Sequence, residues 1–248
     1  MTEIYDQIGV QYRQGRMSDP AIDGFIQGHA DINSRTLNIG AGTGSYESSF
    51  EELIALEPSW KMIQQRAPSA HPAIQAYAEA LPFGDNSFKQ CLTVLSIHHW
   101  QNRTLALEEI KRVTERRFIA LSWNPDATPY WLLQDYFPEL YAIDRSIFPK
   151  IDELETHFPN IQIYPLAIPA NCQDGFTAAY WARPEAYLDD KIRQNMSSFS
   201  KIENVDKGLK KLAEDLSSGQ WNRKYASLLE QSHLDVGYFL AVWDKPLI

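Results

Sequence analysis

The sequence predicts an α/β protein built on a mostly parallel sheet, on three observations. Between residues 35 and 122, short apolar runs alternate with helical patterns, the signature of repeated strand–helix units. One of those runs, Leu37-Asn38-Ile39, leads directly into the glycine-rich turn Gly40-Ala41-Gly42-Thr43-Gly44. Near the end of the 248 residues, the run at 236–243 is almost continuously apolar and reads as a strand buried on both faces.

The elements follow in order. Strands are expected at 35–39, 52–56, 73–78, 88–95 and 117–122, with a short helical segment at 45–50 after the glycine turn. Leu105, Leu107, Ile110 and Val113 recur at helical spacing, with Glu108, Glu109, Lys111 and Arg112 mostly on the other side. After Asn124-Pro125 the alternation stops. Residues 126–148 carry Tyr130, Trp131, Tyr136, Phe137, Tyr141 and Phe148 without a strand pattern. A helix at 151–158 and a strand at 161–166 resume the rhythm, and a long, largely helical stretch at 184–229 precedes the last strand. The organisation expected is a helical cover at 1–34 and a sheet domain at 35–248, with inserts at about 124–150 and 170–232. Inserts placed after strand ends either roof the ligand crevice or thicken the core.

Composition excludes several classes. With 44% apolar and 22% charged residues the chain is not a disordered one. Its 23 basic against 32 acidic side chains lack the footprint of a nucleic-acid binder. Two cysteines, Cys91 and Cys172, are too few for a disulfide framework or a thiolate metal site. No apolar run approaches the length of a membrane span, and the polar start MTEIYDQIGVQYRQGR has no signal-peptide core. The expectation is a soluble cytoplasmic protein without a membrane partner.

The glycine turn is the sharpest local signal. Glycines are needed where the backbone turns tightly and a ligand approaches it closely, although a plain strand-to-helix connection uses them too. A nicotinamide dinucleotide fingerprint would need glycine at position 45, which is serine here, and an acid about 20 residues onward. The lysine–hydroxyl pair of a phosphate loop is also missing. Thirteen residues after Gly44, at the end of Leu53-Ile54-Ala55-Leu56, stands Glu57. A carboxylate there accepts hydrogen bonds from both hydroxyls of a ribose, or else caps the next helix before Ser59.

In order along the chain, NIGAGTG, LEPSWKM, AEALPFGDNSF and LSIHHW resemble the motifs of the class I S-adenosylmethionine-dependent methyltransferases, most closely the type-11 methyltransferase domain. The resemblance covers about residues 35–122. It implies a Rossmann-like, seven-stranded, mostly parallel sheet whose last strand runs antiparallel beside the strands at 117–122 and 161–166, with helical and aromatic inserts as a lid. It also implies S-adenosylmethionine as cofactor and methyl transfer as activity. A binding protein without transfer activity and a nicotinamide-dependent oxidoreductase are the rival readings.

Residue by residue, the resemblance places Gly40, Ala41, Gly42 and Gly44 under the methionyl part of the cofactor, where loop amides and a helix N-terminus favour a carboxylate. It places Glu57 on the ribose, Pro58 or Met62 against the adenine, and Ala78, Glu79 and Leu81 at the adenine edge. Two positions depart from the family. Tyr77 stands where an acid is usual and cannot accept as a carboxylate does. Asn38 replaces the acid before the glycines, keeping an acceptor oxygen without the charge. Ser96 and Ile97 line the cofactor near its sulfonium, and His98 or His99 is the candidate base for the acceptor. No third ligand is spaced for a metal. Tyr12 and Arg16 of the opening segment, beside Tyr5 and Arg13, and Trp100 after the histidines are candidates for contacting the acceptor, with Arg16 suited to grip a carboxylate on the cofactor or on the acceptor. The aromatic inserts suggest a closed apolar pocket and a small-molecule acceptor rather than a nucleic acid.

Overall fold

The computed structural model describes residues 16–246. Its framework is a seven-stranded sheet with strands β1 (Thr36–Ile39), β2 (Leu53–Leu56), β3 (Ala73–Ile74), β4 (Phe88–Val94), β5 (Thr114–Trp123), β6 (Gln162–Pro165) and, last in the chain, β9 (Tyr238–Asp244). Across the sheet the order is β3-β2-β1-β4-β5-β9-β6. The first five strands pair in parallel, and β9 inserts antiparallel between β5 and β6, with Arg117 opposite Asp244 and Tyr164 opposite Leu240. A separate two-stranded ladder joins β7 (Ile168–Pro169) to β8 (His233–Leu234).

Alternation along the buried strands divides the core in two. Leu53, Ala55, Leu92, Ile119, Leu121, Leu240 and Val242 face one cluster, which also takes Ile22 and Ile26 of helix α1 (Pro20–Gln27). Leu37, Ile39, Cys91, Phe118, Ala120, Phe239 and Trp243 face the other. That second face is covered by helices α3 (Arg103–Val113) and α5 (Ile151–His157). The short helix α2 (Trp60–Gln64) follows β2. Each of the first three helices begins at a side-chain cap: Asp19 for α1 with Pro20 behind it, Ser59 for α2 and Asn102 for α3.

The inserts build outward from the first cluster. Helix α4 (Pro138–Ile147) lies in the first; α6 (Asp190–Arg193), α7 (Val205–Ser217) and α8 (Gln220–Tyr225) lie in the second. Their centre is Trp131, whose ring meets Tyr136, Tyr187 and Trp221 edge-on and whose indole N–H donates to the Trp181 carbonyl at 2.9 Å. No helix of the described residues is long and apolar enough to cross a membrane.

Four local expectations are corrected. No helix forms at 45–50, because Gly44 (φ 98°) and Tyr46 (φ 62°) hold left-handed backbone that cannot start a right-handed helix. The strand expected at 73–78 pairs only over Ala73–Ile74, since its partner β2 stops at Leu56. The stretch 184–229 is several short helices, broken at 194–204 and at Gly219 (φ 71°), not one long one. Leu105 is 42% exposed at the first turn of α3, and Ala106 takes the buried position instead.

Leu240 is fully buried between two neighbouring strands. Leu240→Ala is therefore expected to cost about 2–5 kcal/mol of stability by urea unfolding. A loss under about 1 kcal/mol would remove this strand from the core.

Candidate functional site

A cleft opens at the carboxyl ends of β1, β2 and β4, the place where open parallel sheets take ligands. Its floor is the glycine turn. The amides of Gly40 and Ala41 both donate to the Leu56 carbonyl, at 2.8 and 3.0 Å, which stitches the turn to the end of β2. Gly40 has φ 70°, and a Cβ built there would lie 1.7 Å from Ser96 Oγ, so the strand end of β4 can close on the turn only over a bare Cα. Gly42 (φ 53°) has nothing within 4 Å of its missing Cβ, leaving room for a ligand.

Glu57 is 6% exposed and brackets the turn from β2. One carboxylate oxygen accepts the Gly42 amide at 2.8 Å, the other the Ser59 amide at 2.9 Å. Burial pushes its carboxyl above the ordinary range, opposed by these two bonds and by the charge of Arg66. Beneath the turn, Arg66 pairs with Glu47, both nearly buried, and donates to the Gly42 carbonyl at 3.3 Å. Glu47 in turn accepts from the Asn38 amide nitrogen at 2.8 Å. The Asn38 oxygen is buried with no hydrogen-bond partner, beside the cleft.

Of the residues expected from the sequence, Asn38, Gly40, Ala41, Gly42, Glu57, Pro58 and Met62 line this cleft. So do Tyr77, Ala78, Glu79, Ser96, His99, Trp100 and Arg16. Glu79 also braces the structure. Its carboxylate accepts the amides of Gln101 (2.7 Å) and Asn102 (3.2 Å), tying the loop after β4 to the one after β3. The structure does not bring Gly44, Leu81, Ile97 or His98 to the cleft. Gly44 is turned toward the Arg66 guanidinium, Leu81 and Ile97 are core side chains of the second cluster, and His98 stacks on Phe148 with ring centroids 4.0 Å apart. Tyr12 lies outside the described residues, with Tyr5 and Arg13. Sequence reasoning missed Thr43, Ser45, Tyr46, Leu56, Ser59, Val94, Leu95 and Gln101 of the lining, each within two positions of a candidate residue, and the buried Glu47–Arg66 pair, for which the spacing offers no signal.

His99 sits deep among protein atoms yet keeps accessible surface, as a side chain lining a cavity does, while His98 beside it packs against Phe148. Desolvation, and then the charges of Lys201 and Arg16, push His99 down to about 3; burial, neighbouring His99 and the same cations hold His98 well below the ordinary imidazole range. Among the described residues, no group of three His, Cys, Asp or Glu side chains is placed to hold a metal ion. The inserts approach this end of the sheet through Phe148 and through Asp174, which pairs with Arg16, but no described residue of 124–232 lines the cleft itself.

A family model described as a methyltransferase domain matches residues 37–117. The chain is 31% identical to a putative methyltransferase from an antibiotic biosynthesis pathway of Anabaena variabilis. The two superimpose with a TM-score of 0.85 over 92% of this chain and 98% of that one. Over 87 residues it is 34% identical to malonyl-[acyl-carrier protein] O-methyltransferase of Erwinia pyrifoliae, a third of each sequence (33% and 33%). An N-methyltransferase of Haemonchus contortus, solved with phosphomonomethylethanolamine and S-adenosylhomocysteine, shares the fold at 16% identity, with a TM-score of 0.55 over 99% of this chain and 57% of that one. The chain belongs to the S-adenosylmethionine-dependent methyltransferases. The expected seven-stranded sheet with one antiparallel strand is the sheet observed.

Two outcomes follow from this geometry. Gly40→Ala drives a Cβ into Ser96 and is expected to cost about 1–3 kcal/mol by urea unfolding, with cofactor affinity falling as well. His99 has a folded pKa of about 3 against an ordinary 6.5, so its contribution to stability is complete above 6.5 and declines as the pH falls from there toward 3. His99→Gln is expected to flatten that part of the stability–pH curve, measured by denaturation at stepped pH.

Proposed function

We propose that the protein transfers the methyl group of S-adenosylmethionine to a small-molecule acceptor, with the cofactor held in the cleft between β1, β2 and β4. The observation that carries this is Glu57: a buried carboxylate at the end of β2, with both oxygens pinned by backbone amides, facing a glycine turn with open space at Gly42. Its remaining lone pairs suit two vicinal hydroxyls. Pro58 and Met62 supply the apolar surface for the adenine, beside Tyr77 and Ala78. The unpartnered Asn38 oxygen suits an ammonium donor, whose absence would leave a buried acceptor unsatisfied.

The sulfonium of the bound cofactor supplies an activated methyl group, so the chain's own part is to orient the acceptor and exclude water. His99 lines the cleft as a neutral imidazole, the candidate base for an acceptor oxygen or nitrogen; with its pKa held down by burial it orients the acceptor's hydrogen by accepting a hydrogen bond more readily than it removes the proton. Trp100, fixed by its indole N–H on Ser96 Oγ at 3.2 Å, walls the same side. The deep setting of His99 in the cleft suits a small acceptor better than a polymer.

S-Adenosylmethionine and S-adenosylhomocysteine are expected to raise the melting temperature, while NAD does not. Glu57→Ala is expected to cost about 2–3 kcal/mol of cofactor binding by calorimetry, through loss of a charged partner for two hydroxyls. Equal thermal shifts with all three ligands, or unchanged affinity in the variant, would overturn the reading.

A further inference from the structure

The methionyl end of the cofactor carries a carboxylate, and the glycine turn is poorly placed to meet it. The amides of Gly40, Ala41, Gly42, Gly44 and Tyr46 donate inside the protein, to Leu56 O, Glu57, Ala41 O and Ser18 Oγ, and no helix starts after the turn to add its dipole. Thr43 and Ser45 of the lining can offer uncharged amides at most, so a full positive charge for the carboxylate comes from a side chain. Among the described residues that line the cleft, Arg16 is the one lysine or arginine. It stands on the histidine side, since its charge reaches His99, and its backbone carbonyl accepts from Ser45 Oγ at 3.3 Å.

Arg16 is held there from a distance. Asp174, in the second insert, has a side chain with no exposed surface. It accepts from Arg16 Nε at 2.6 Å and Nη2 at 3.4 Å, from the Tyr46 hydroxyl at 2.8 Å and from the Gly175 amide at 2.6 Å. The neighbouring Gln173 amide donates to Asp19 at 2.8 Å, and Asp19 is also the cap of α1. Arg16, Asp19, Tyr46 and Asp174 thus form one knot joining the start of the described chain, the glycine turn and the insert. Buried carboxylates with this many donors orient their partners firmly, and losing the charge frees them.

We propose that Asp174 is a positioning residue for the cofactor: it fixes the Arg16 guanidinium and the Tyr46 ring at the methionyl end of the cleft, which makes the second insert part of the cofactor site. This rests on the cofactor placement proposed above. It sets Asp174 apart from a residue that merely braces the fold, because its influence is confined to one end of the ligand.

The test compares S-adenosylhomocysteine with 5′-methylthioadenosine, which keeps the adenosine and lacks the amino-acid end, by calorimetry on the full chain. In Asp174→Asn the affinity for S-adenosylhomocysteine is expected to fall about tenfold, the scale of one charge-assisted bond, while that for 5′-methylthioadenosine stays within about twofold. Arg16→Met is expected to reproduce this split and Arg16→Lys to recover part of it. Should Asp174→Asn fail to fold, Arg16→Met and Tyr46→Phe decide by the same split. Equal losses for both ligands, or an unchanged affinity for S-adenosylhomocysteine, would overturn the proposal. A wild-type protein that binds neither ligand would overturn the cofactor placement itself.

Discussion

The attachment of the glycine turn to the end of β2 is the constraint on which the site depends. Leu56 offers one carbonyl to two successive amides, and Glu57 offers a carboxylate to a third, so the turn is drawn down until Gly40 meets Ser96. Any side chain at position 40 would hold β1 and β4 apart at the point where the cleft begins. The buried Glu47–Arg66 pair locks the same turn from below and engages Asn38. A buried ion pair is a weak source of net stability, but its geometry is demanding, which suits a floor that must hold one shape.

The inserts solve a second problem. Sheet strands alternate their burial between two faces, and one face is closed economically by α3 and α5. Among the described residues the other takes α1 from the early chain, and further apolar surface is met by the aromatic mass around Trp131. The segments that resist reading as strand or helix are therefore core, held by ring edges and by indole N–H bonds such as Trp181 to the Ile168 carbonyl at 2.9 Å. Their reach toward the cleft is narrow: one aromatic ring on His98 and one carboxylate on Arg16.

Strand positions were legible in local pattern, whereas the antiparallel insertion of β9 and most of the cleft lining were expected from the resemblance of four ordered motifs to a known family. Apolar runs announce buried strands, and glycines followed by Glu57 announce a nucleoside site. What was not legible depends on contacts between distant residues. The left-handed Tyr46 cancels a helix that residues 45–50 otherwise permit, and it is stabilised by Ser18 and Asp174 rather than by its neighbours. Leu81 and Ile97 belong to motifs that flank the cofactor in the family resemblance, yet both side chains turn into the core. The Glu47–Arg66 pair is invisible for the same reason. A motif marks where backbone passes near a ligand, while the direction of each side chain is set by packing.

The central place of β9 bears on how the chain folds. Its partners β5 and β6 lie far back in sequence, with paired residues as distant as Arg117 and Asp244. Closing a loop of that span carries an entropic cost before any contact repays it, and such non-local pairing slows folding. The strands β1, β2 and β4, at whose carboxyl ends the cleft opens, pair over much shorter loops, β1 with β2 and β1 with β4. The order of assembly this favours begins with the half of the sheet that carries the cleft and ends with the strand that joins the inserts to it. Until that step the aromatic mass has no sheet face to close against, and its exposed rings are the surface most prone to aberrant association.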